Sequence, residues 1–278
     1  MTKILPTVMT IAGSDSGAGA GIQADLKTIS ALGSSLGIYG TTVITAITAQ
    51  NTCGVSGIHS VPTVMIEQQF EAIVSDFKIQ AIKTGMLQSV EIIDTVANCI
   101  SESSIKNFVL DPVMVATSGD KLVFENTVQA LTSKLFPLAK IITPNIPEAA
   151  LLLNRGINTL EEMQQAAKDL LDFKSFAVLL KGGHLQLENS DQNNQKIFDI
   201  LVTVEQTEPI IFENPRIITN NVHGTGCTLS AAIATFLAKE QNLETAIKNS
   251  ENYIHKAILA GKKLKVGNGN GPLWHFVE

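Results

Sequence analysis

The sequence is short of aromatic and charged residues: it holds one Trp and two Tyr, aromatics make up 5% of its 278 residues, and Asp, Glu, Lys and Arg together 17%. With 45% apolar residues it is still too hydrophobic for a disordered chain. Cysteine is scarce, and Cys53, Cys99 and Cys227 form no CxxC pair, so no disulfide framework is expected. The odd count, and the lack of a secretory leader in MTKILPTVMTIAG, lead us to expect a reducing, cytoplasmic setting. Basic residues are outnumbered, 20 Lys and Arg against 26 Asp and Glu, and the net charge of −6 argues against a nucleic-acid partner, whose phosphates need a basic face. Residues 28–66 carry no charged side chain at all. Gly33, Gly37, Gly40, Gly54, Gly57 and Pro62 interrupt that stretch, which leaves no run of ~20 apolar residues for a membrane helix. We read it as interior strands and their ends.

Several familiar sites are missing too. The only Gly-Lys step, Gly261-Lys262, lacks the upstream glycine of a phosphate-binding P-loop. The centre of Gly13–Gly17 is Asp15, so it is no serine nucleophile elbow. Gly19, Gly21 and Ala24 fit the glycine part of a dinucleotide fingerprint, yet residues 36–50 lack the acidic residue that would hold a ribose. His223 and Cys227 give two local zinc ligands at most, so no structural metal site is expected.

Short β-rich runs are present in number: VMTIA (8–12), IYGTTVITAI (38–47), AIKT (81–84), FVL (108–110), KIIT (140–143) and FAVLL (176–180). Between them apolar residues recur three or four apart, as in Leu160, Met163, Ala167, Leu170 and Leu171. This alternation predicts βαβ units, an α/β fold with a mostly parallel sheet and helices on both faces. KIFDILVTVE and EPIIFE predict a hairpin, and residues 225–261 two further helices. No linker divides the chain, which we read as a single domain over 1–278; at this size one domain buries about three quarters of the surface its unfolded chain exposes.

Ligands of such sheets gather beyond the carboxyl ends of the strands. GSDSGAGAG, AQN, TGM, DPVM, TPN and KGGH all fall there. Asp25 reads either as a polar anchor one turn into the first helix or as a solvated helix residue. Lys181 follows a buried strand and would carry its ammonium to the same edge, where it can meet phosphates. Asn145 and Glu148 can hold Mg²⁺ through water, or Asn145 and Pro147 simply start a helix. In NNVHGTGCTLSAAIATFLAK (220–239), two glycines precede good helix formers, so the N–H groups of residues 225–228 are expected to face an anion such as phosphate. Cys227 there is either a thiolate favoured by the helix terminus or a small buried residue at a tight turn.

Taken together, TIAGSDSGAGAGIQADLKT, TAQNTCGV, KTGML, VLDPVM, SGD, TPNIPEA, LLKGGH, HGTGCTLSAAIA and GNGNGPLWHF resemble the hydroxymethylpyrimidine and phosphomethylpyrimidine kinases of thiamine biosynthesis, members of the ribokinase-like superfamily. Cys227 in GTGC, where most sugar kinases of the superfamily have Asp, matches the pyrimidine-kinase branch. The resemblance implies a ribokinase-like three-layer fold without a lid domain and a homodimer. It also implies transfer of a phosphoryl group from ATP, with Mg²⁺, to 4-amino-5-hydroxymethyl-2-methylpyrimidine and then to its monophosphate. On the same ground Gly13, Asp25, Gln50, Met86 and Val113 are expected to bind substrate. Cys227, the Gly224-Thr225-Gly226 loop and Lys181 are expected to serve the transfer, and Asp111, Asn145, Glu148 and Lys181 to serve Mg–ATP. Gln50 would pair its amide with the ring nitrogen and amine of the aminopyrimidine. One departure is visible: Ser34–Ile38 lengthen the connection before the second strand. A pyridoxal or pyridoxine kinase of the same fold, and a non-catalytic sensor of thiamine precursors, are the alternatives.

Overall fold

The computed structural model describes residues 4–114, 125–183 and 196–277; His184, the SGD at 118–120 and the polar run 189–195 lie outside them. Along the chain come β1 (Thr7–Ser14), α1 (Gly21–Leu36), β2 (Tyr39–Asn51), β3 (Gly54–Ser60), α2 (Thr63–Val74), β4 (Ile79–Thr84), α3 (Val90–Glu102) and β5 (Asn107–Leu110). Then follow α4 (Glu125–Ala130), β6 (Ile141–Ile142), α5 (Ile146–Leu153), α6 (Leu160–Asp169), β7 (Ala177–Leu180), β8 (Lys196–Thr203), β9 (Gln206–Pro215), α7 (Thr225–Ala238) and α8 (Leu243–Gly261). The strands form one sheet in the order β3-β2-β1-β4-β5-β6-β7-β8-β9. Pairing is parallel from β2 through β7, and antiparallel where β3 joins β2 and where β8 and β9 close the other edge.

Consecutive strand residues feed opposite cores. Met9, Ile82, Phe108, Ile142 and Val178 pack against α2, α3, α5 and α6. Their neighbours Val8, Ala81, Val109, Ile141 and Ala177 pack against α1, α7 and α8. Both faces are covered, which is why these strands read as unbroken apolar runs rather than alternating ones. The result is the expected three-layer architecture, a mostly parallel sheet between two layers of helices. Chain order reverses beside β1, between β2 and β4, and that reversal opens a crevice beyond the carboxyl ends of the strands.

Two sequence expectations need correction. The charge-free stretch is not all interior, because β3 is exposed along its whole length. An exposed edge strand needs only backbone pairing with β2, and its two apolar residues, Val55 and Ile58, sit three apart rather than alternating, so it shows no strand periodicity to read. The additional residues at 34–38 do not form a longer loop: Ser34, Ser35 and Leu36 extend the last turn of α1, and Gly37, at φ 69°, caps it by donating to Gly33 O. That helix end lies opposite the strand edge that carries the crevice.

Candidate active site

A cavity of about 1380 Å³ occupies the crevice, large enough for two small molecules rather than one. Of the thirteen residues singled out in the sequence, twelve line it: Gly13, Gln50, Met86, Val113, Asp111, Asn145, Glu148, Lys181, Gly224, Thr225, Gly226 and Cys227. The exception is Asp25. It is fully buried and off the cavity wall, and it is not the solvated helix residue weighed above.

The two glycine-rich loops interlock. Asp15 accepts from the N–H groups of Gly17 (2.8 Å), Gly19 (3.0 Å) and Ala20 (2.9 Å), which ties the first loop to one carboxylate. The same carboxylate meets His223 Nε2 at 2.9 Å, reaching across to the residue before the GTG loop. Burial raises the Asp15 carboxyl, but these hydrogen bonds outweigh it and hold the group below the ordinary carboxylate range. Gly224 has φ 86°, and a Cβ on it would stand 1.8 Å from Gly19 O, so only glycine lets these backbones meet. The glycines at 19 and 224 thus serve loop-to-loop contact, and Gly224 also faces the cavity.

Two Asp–Lys pairs lie under the strand edge. Asp25 accepts from Lys83 Nζ through both oxygens (2.9 and 2.8 Å) and from Thr10 Oγ1 (2.5 Å), with no exposure on either charged side chain. Burial pulls the Lys83 ammonium down, yet the negative groups around it, Asp25 foremost and Asp111 further off, together outweigh it, and Lys83 stays protonated. Asp111 accepts from Lys181 Nζ (2.9 Å), Thr143 Oγ1 (3.1 Å) and Ser230 Oγ (3.4 Å). Lys181 keeps 14% of its side chain exposed on the cavity wall. Burial alone would lower its pKa; Asp111 and Glu148 more than offset this and keep it charged.

Asn145 is the N-cap of α5 and shares a capping box with Glu148: Glu148 N–H donates to Asn145 Oδ1 (2.9 Å), and Asn145 N–H to Glu148 Oε2 (2.8 Å). The helix-start alternative is therefore real, though both residues also face the cavity. Burial pushes the Glu148 carboxyl up to about 7, against the pull of Lys181. At α7, the N–H groups of Thr225 and Thr228 are taken by Val222 O (3.2 Å) and Gly224 O (2.9 Å). Of the four amides expected to face an anion, those of Gly226 and Cys227 are the ones left without a helical partner. Burial raises the Cys227 thiol to about 11 although Lys83 opposes it, so the terminus does not produce a thiolate at neutral pH. Among the described residues no cluster of three or more His, Cys, Asp or Glu is placed to hold a metal ion.

The sequence profile of the phosphomethylpyrimidine kinase family matches residues 15–274. The chain belongs to the phosphomethylpyrimidine kinase family. It is 46% identical over 269 residues to a hydroxymethylpyrimidine/phosphomethylpyrimidine kinase of Rhizobium meliloti, covering 96% of each chain. It is also 46% identical to the thiamine biosynthesis bifunctional protein ThiED of Geobacter sulfurreducens, where it covers 98% of itself and spans about half, 52%, of that longer relative. Among solved structures, a phosphomethylpyrimidine kinase from Clostridium difficile 630 is 40% identical with a TM-score of 0.77, over 92% of this chain and 100% of that one. An ADP complex of Bacillus subtilis pyridoxal kinase is 35% identical with a TM-score of 0.86, over 98% and 97%. These relatives are phosphotransferases, and the nucleotide complex among them fits the use of ATP.

Sequence reasoning missed Lys83, Asp15 and His223 as site residues. Lys83 sits inside an apolar strand and its partner is 58 residues away, so no local pattern announces the pair. Asp15 and His223 do flank the two glycine-rich loops, and that adjacency was the available signal.

Proposed function

We propose that the chain, as one kinase domain working as a cytoplasmic homodimer, transfers the γ-phosphoryl group of Mg–ATP to 4-amino-5-hydroxymethyl-2-methylpyrimidine and then to its monophosphate. The carrying observation is a single cavity that holds Gly13, Gln50, Met86 and Val113 together with Lys181 and the start of α7. Gly13 and Met86 are neighbours, the Cβ position of Gly13 lying 3.2 Å from Met86 Cε. Gly226 and Lys181 are neighbours in the same way, at 3.3 Å. A hydroxymethyl pyrimidine on Gln50 and Met86 presents its hydroxyl oxygen to a phosphate held at Gly226 and Lys181. The bond from γ-phosphorus to the bridging oxygen breaks as the new one to the hydroxyl oxygen forms; ADP leaves with the bonding electron pair, and the hydroxyl proton is released to water. Such a transfer asks the protein for alignment and charge neutralisation, which Lys181 and the amides of Gly226 and Cys227 supply.

Magnesium suits this site as an ion that arrives on the nucleotide. Mg²⁺ keeps much of its water and needs only one or two protein carboxylates beside the phosphates, and Asp111 and Glu148 are the cavity carboxylates whose charges act on Lys181. Asp25 acts beneath the pocket, through Lys83, rather than by touching substrate.

The likeness to pyridoxal kinase favours a second reading, in which a hydroxymethyl pyridine takes the place of the pyrimidine. Mass spectrometry of products formed from Mg–ATP with the pyrimidine, its monophosphate, or pyridoxine decides between them. The pyrimidine diphosphate is expected; phosphorylation of pyridoxine alone transfers the assignment to the vitamin B6 reading.

A further inference from the structure

The segment Gly267–His275, GNGNGPLWH, touches both halves of the site from outside. At one end it meets the turn after β2, two residues beyond Gln50. Gly269 N–H donates to Thr52 Oγ1 (3.1 Å) and Asn270 N–H to Thr52 O (3.0 Å). A Cβ at Gly269 would stand 2.0 Å from Thr52 O. In its middle, Gly271 O accepts from His223 N–H (3.1 Å), beside Gly224. At the other end, His275 Nε2 lies 3.0 Å from Thr228 Oγ1, next to Cys227 in the first turn of α7. Tyr253 OH donates to His275 O at 2.7 Å and anchors that end to α8. His275 and Thr228 are both buried, at 2% and 0% exposure, while Trp274 and Phe276 on either side of His275 are exposed.

We propose that Gly267–His275 is a positioning strap, which holds the turn next to Gln50 and the Cys227 turn of α7 at the mutual spacing that phosphoryl transfer requires. The inference rests on the kinase reading for its kinetic consequence, but not for its geometry. Nothing in the segment lines the cavity, so its residues act through Thr52, His223 and Thr228. Burial holds the His275 imidazole down at about 4, so the contact with Thr228 is between neutral partners across the working pH range. Leu273, 3% exposed, and the Trp274 N–H donated to Ala257 O (3.2 Å) pack the segment against α8. Beyond that packing it makes backbone hydrogen bonds, a glycine contact and a buried polar pair with Thr52, His223 and Thr228, which neighbour the site.

The test uses the whole protein with Mg–ATP and the hydroxymethyl pyrimidine. Loosening the first end by Gly269→Ala is expected to raise KM for the pyrimidine roughly ten-fold and leave KM for ATP within about two-fold, because small misplacements of a binding group cost this much. Loosening the other end by His275→Leu, or by the near-isosteric Thr228→Val, is expected to lower kcat roughly 10- to 100-fold. His275→Gln, whose amide can still meet Thr228, should restore most of it. Peptide-resolved alkylation provides a readout that needs no activity: Cys227 should react faster in His275→Leu and Thr228→Val, with Cys53 unchanged. Ile100→Ala, in the core behind α3, serves as a comparator that lowers stability without touching the strap. If the strap variants lose only as much stability as Ile100→Ala, with kcat, KM and Cys227 alkylation all as in wild type, the strap is refuted. If wild type transfers no phosphate to the pyrimidine, the kinase reading fails, and the alkylation rates still decide on the strap.

Discussion

The two Asp–Lys pairs under the strand edge are made of the same groups and do different work. Asp25–Lys83 is closed: neither side chain has any exposure, and Thr10 takes a further position on the carboxylate. Asp111–Lys181 is open on one side, with Lys181 14% and Asp111 3% exposed. In the closed pair the loss of hydration is offset by mutual attraction and the Thr10 hydrogen bond, so each charged partner depends on the other. In the open pair Asp111 keeps the lysine charged and aimed, while Nζ retains hydrogens for an incoming phosphate. Burial, not residue type, separates a cation that holds the fold from one offered to a ligand.

Breaking each pair in turn should separate the roles. Lys83→Met leaves the Asp25 carboxylate buried without compensation and is expected to cost about 3–5 kcal/mol of stability in chemical denaturation. Asp25→Asn added to it should recover much of that loss. Lys181→Met is expected to lower kcat by ~10²–10³, the cost of removing one preorganised donor from a developing charge, with a smaller loss of stability than Lys83→Met. A stable but inactive Lys83→Met beside an active, unstable Lys181→Met would reverse the assignment.

This contrast also marks how far the sequence could be read. The strands that pair in parallel, the β8–β9 hairpin and twelve cavity residues were legible, because buried runs and strand-end polar segments are local signals. Lys181 was legible as well, since it directly follows a core strand. Lys83 was not: it points from within β4 into α1, and only tertiary structure brings Asp25 to it. β3 left no trace because an exposed edge strand has no apolar pattern. The count of free amides at α7 needed the observed turn, in which Val222 and Gly224 take two of the four.

Cys227 stands electrostatically between the two pairs: burial pushes its thiol up, Lys83 pulls it down, Asp25 and Asp111 push it up again, and the net value is about 11. A thiol there is protonated at neutral pH and a poor general base. Cys227→Ser is therefore expected to lose less than about ten-fold in kcat, well short of the ~10²–10⁴ that a general base contributes. A loss within that larger range, under conditions where chemistry limits the rate, would make the thiol the base and Lys83 the group that activates it.

Glu251 offers the third case, a buried carboxyl whose charged neighbour is another acid. Its Oε2 accepts from Asn214 Nδ2 at 2.9 Å, and burial followed by repulsion from Asp199 pushes its pKa up to about 8, from 4.5 as a free group. Because the folded pKa is the higher one, the folded protein binds more protons between these two values. Stability is therefore full below the lower value and is lost as pH rises through the upper. Asp199 and Glu148 behave alike, but they titrate earlier, at about 6 and about 7. The unit between pH 7 and 8 thus belongs mainly to Glu251, and because the group is half ionised at the top of that step it is worth about 1 kcal/mol rather than the full ~1.4. That corresponds to a fall of roughly 2–4 °C in melting temperature. Glu251→Gln removes the titration and keeps an acceptor for Asn214, so its melting temperature should stay nearly flat across this step while the wild type falls. Parallel melting curves for the two proteins from pH 7 to 8 would mean that Glu251 is already ionised in the fold, and that a buried carboxylate can be held here by Asn214 without any ammonium of the kind the two Asp–Lys pairs require.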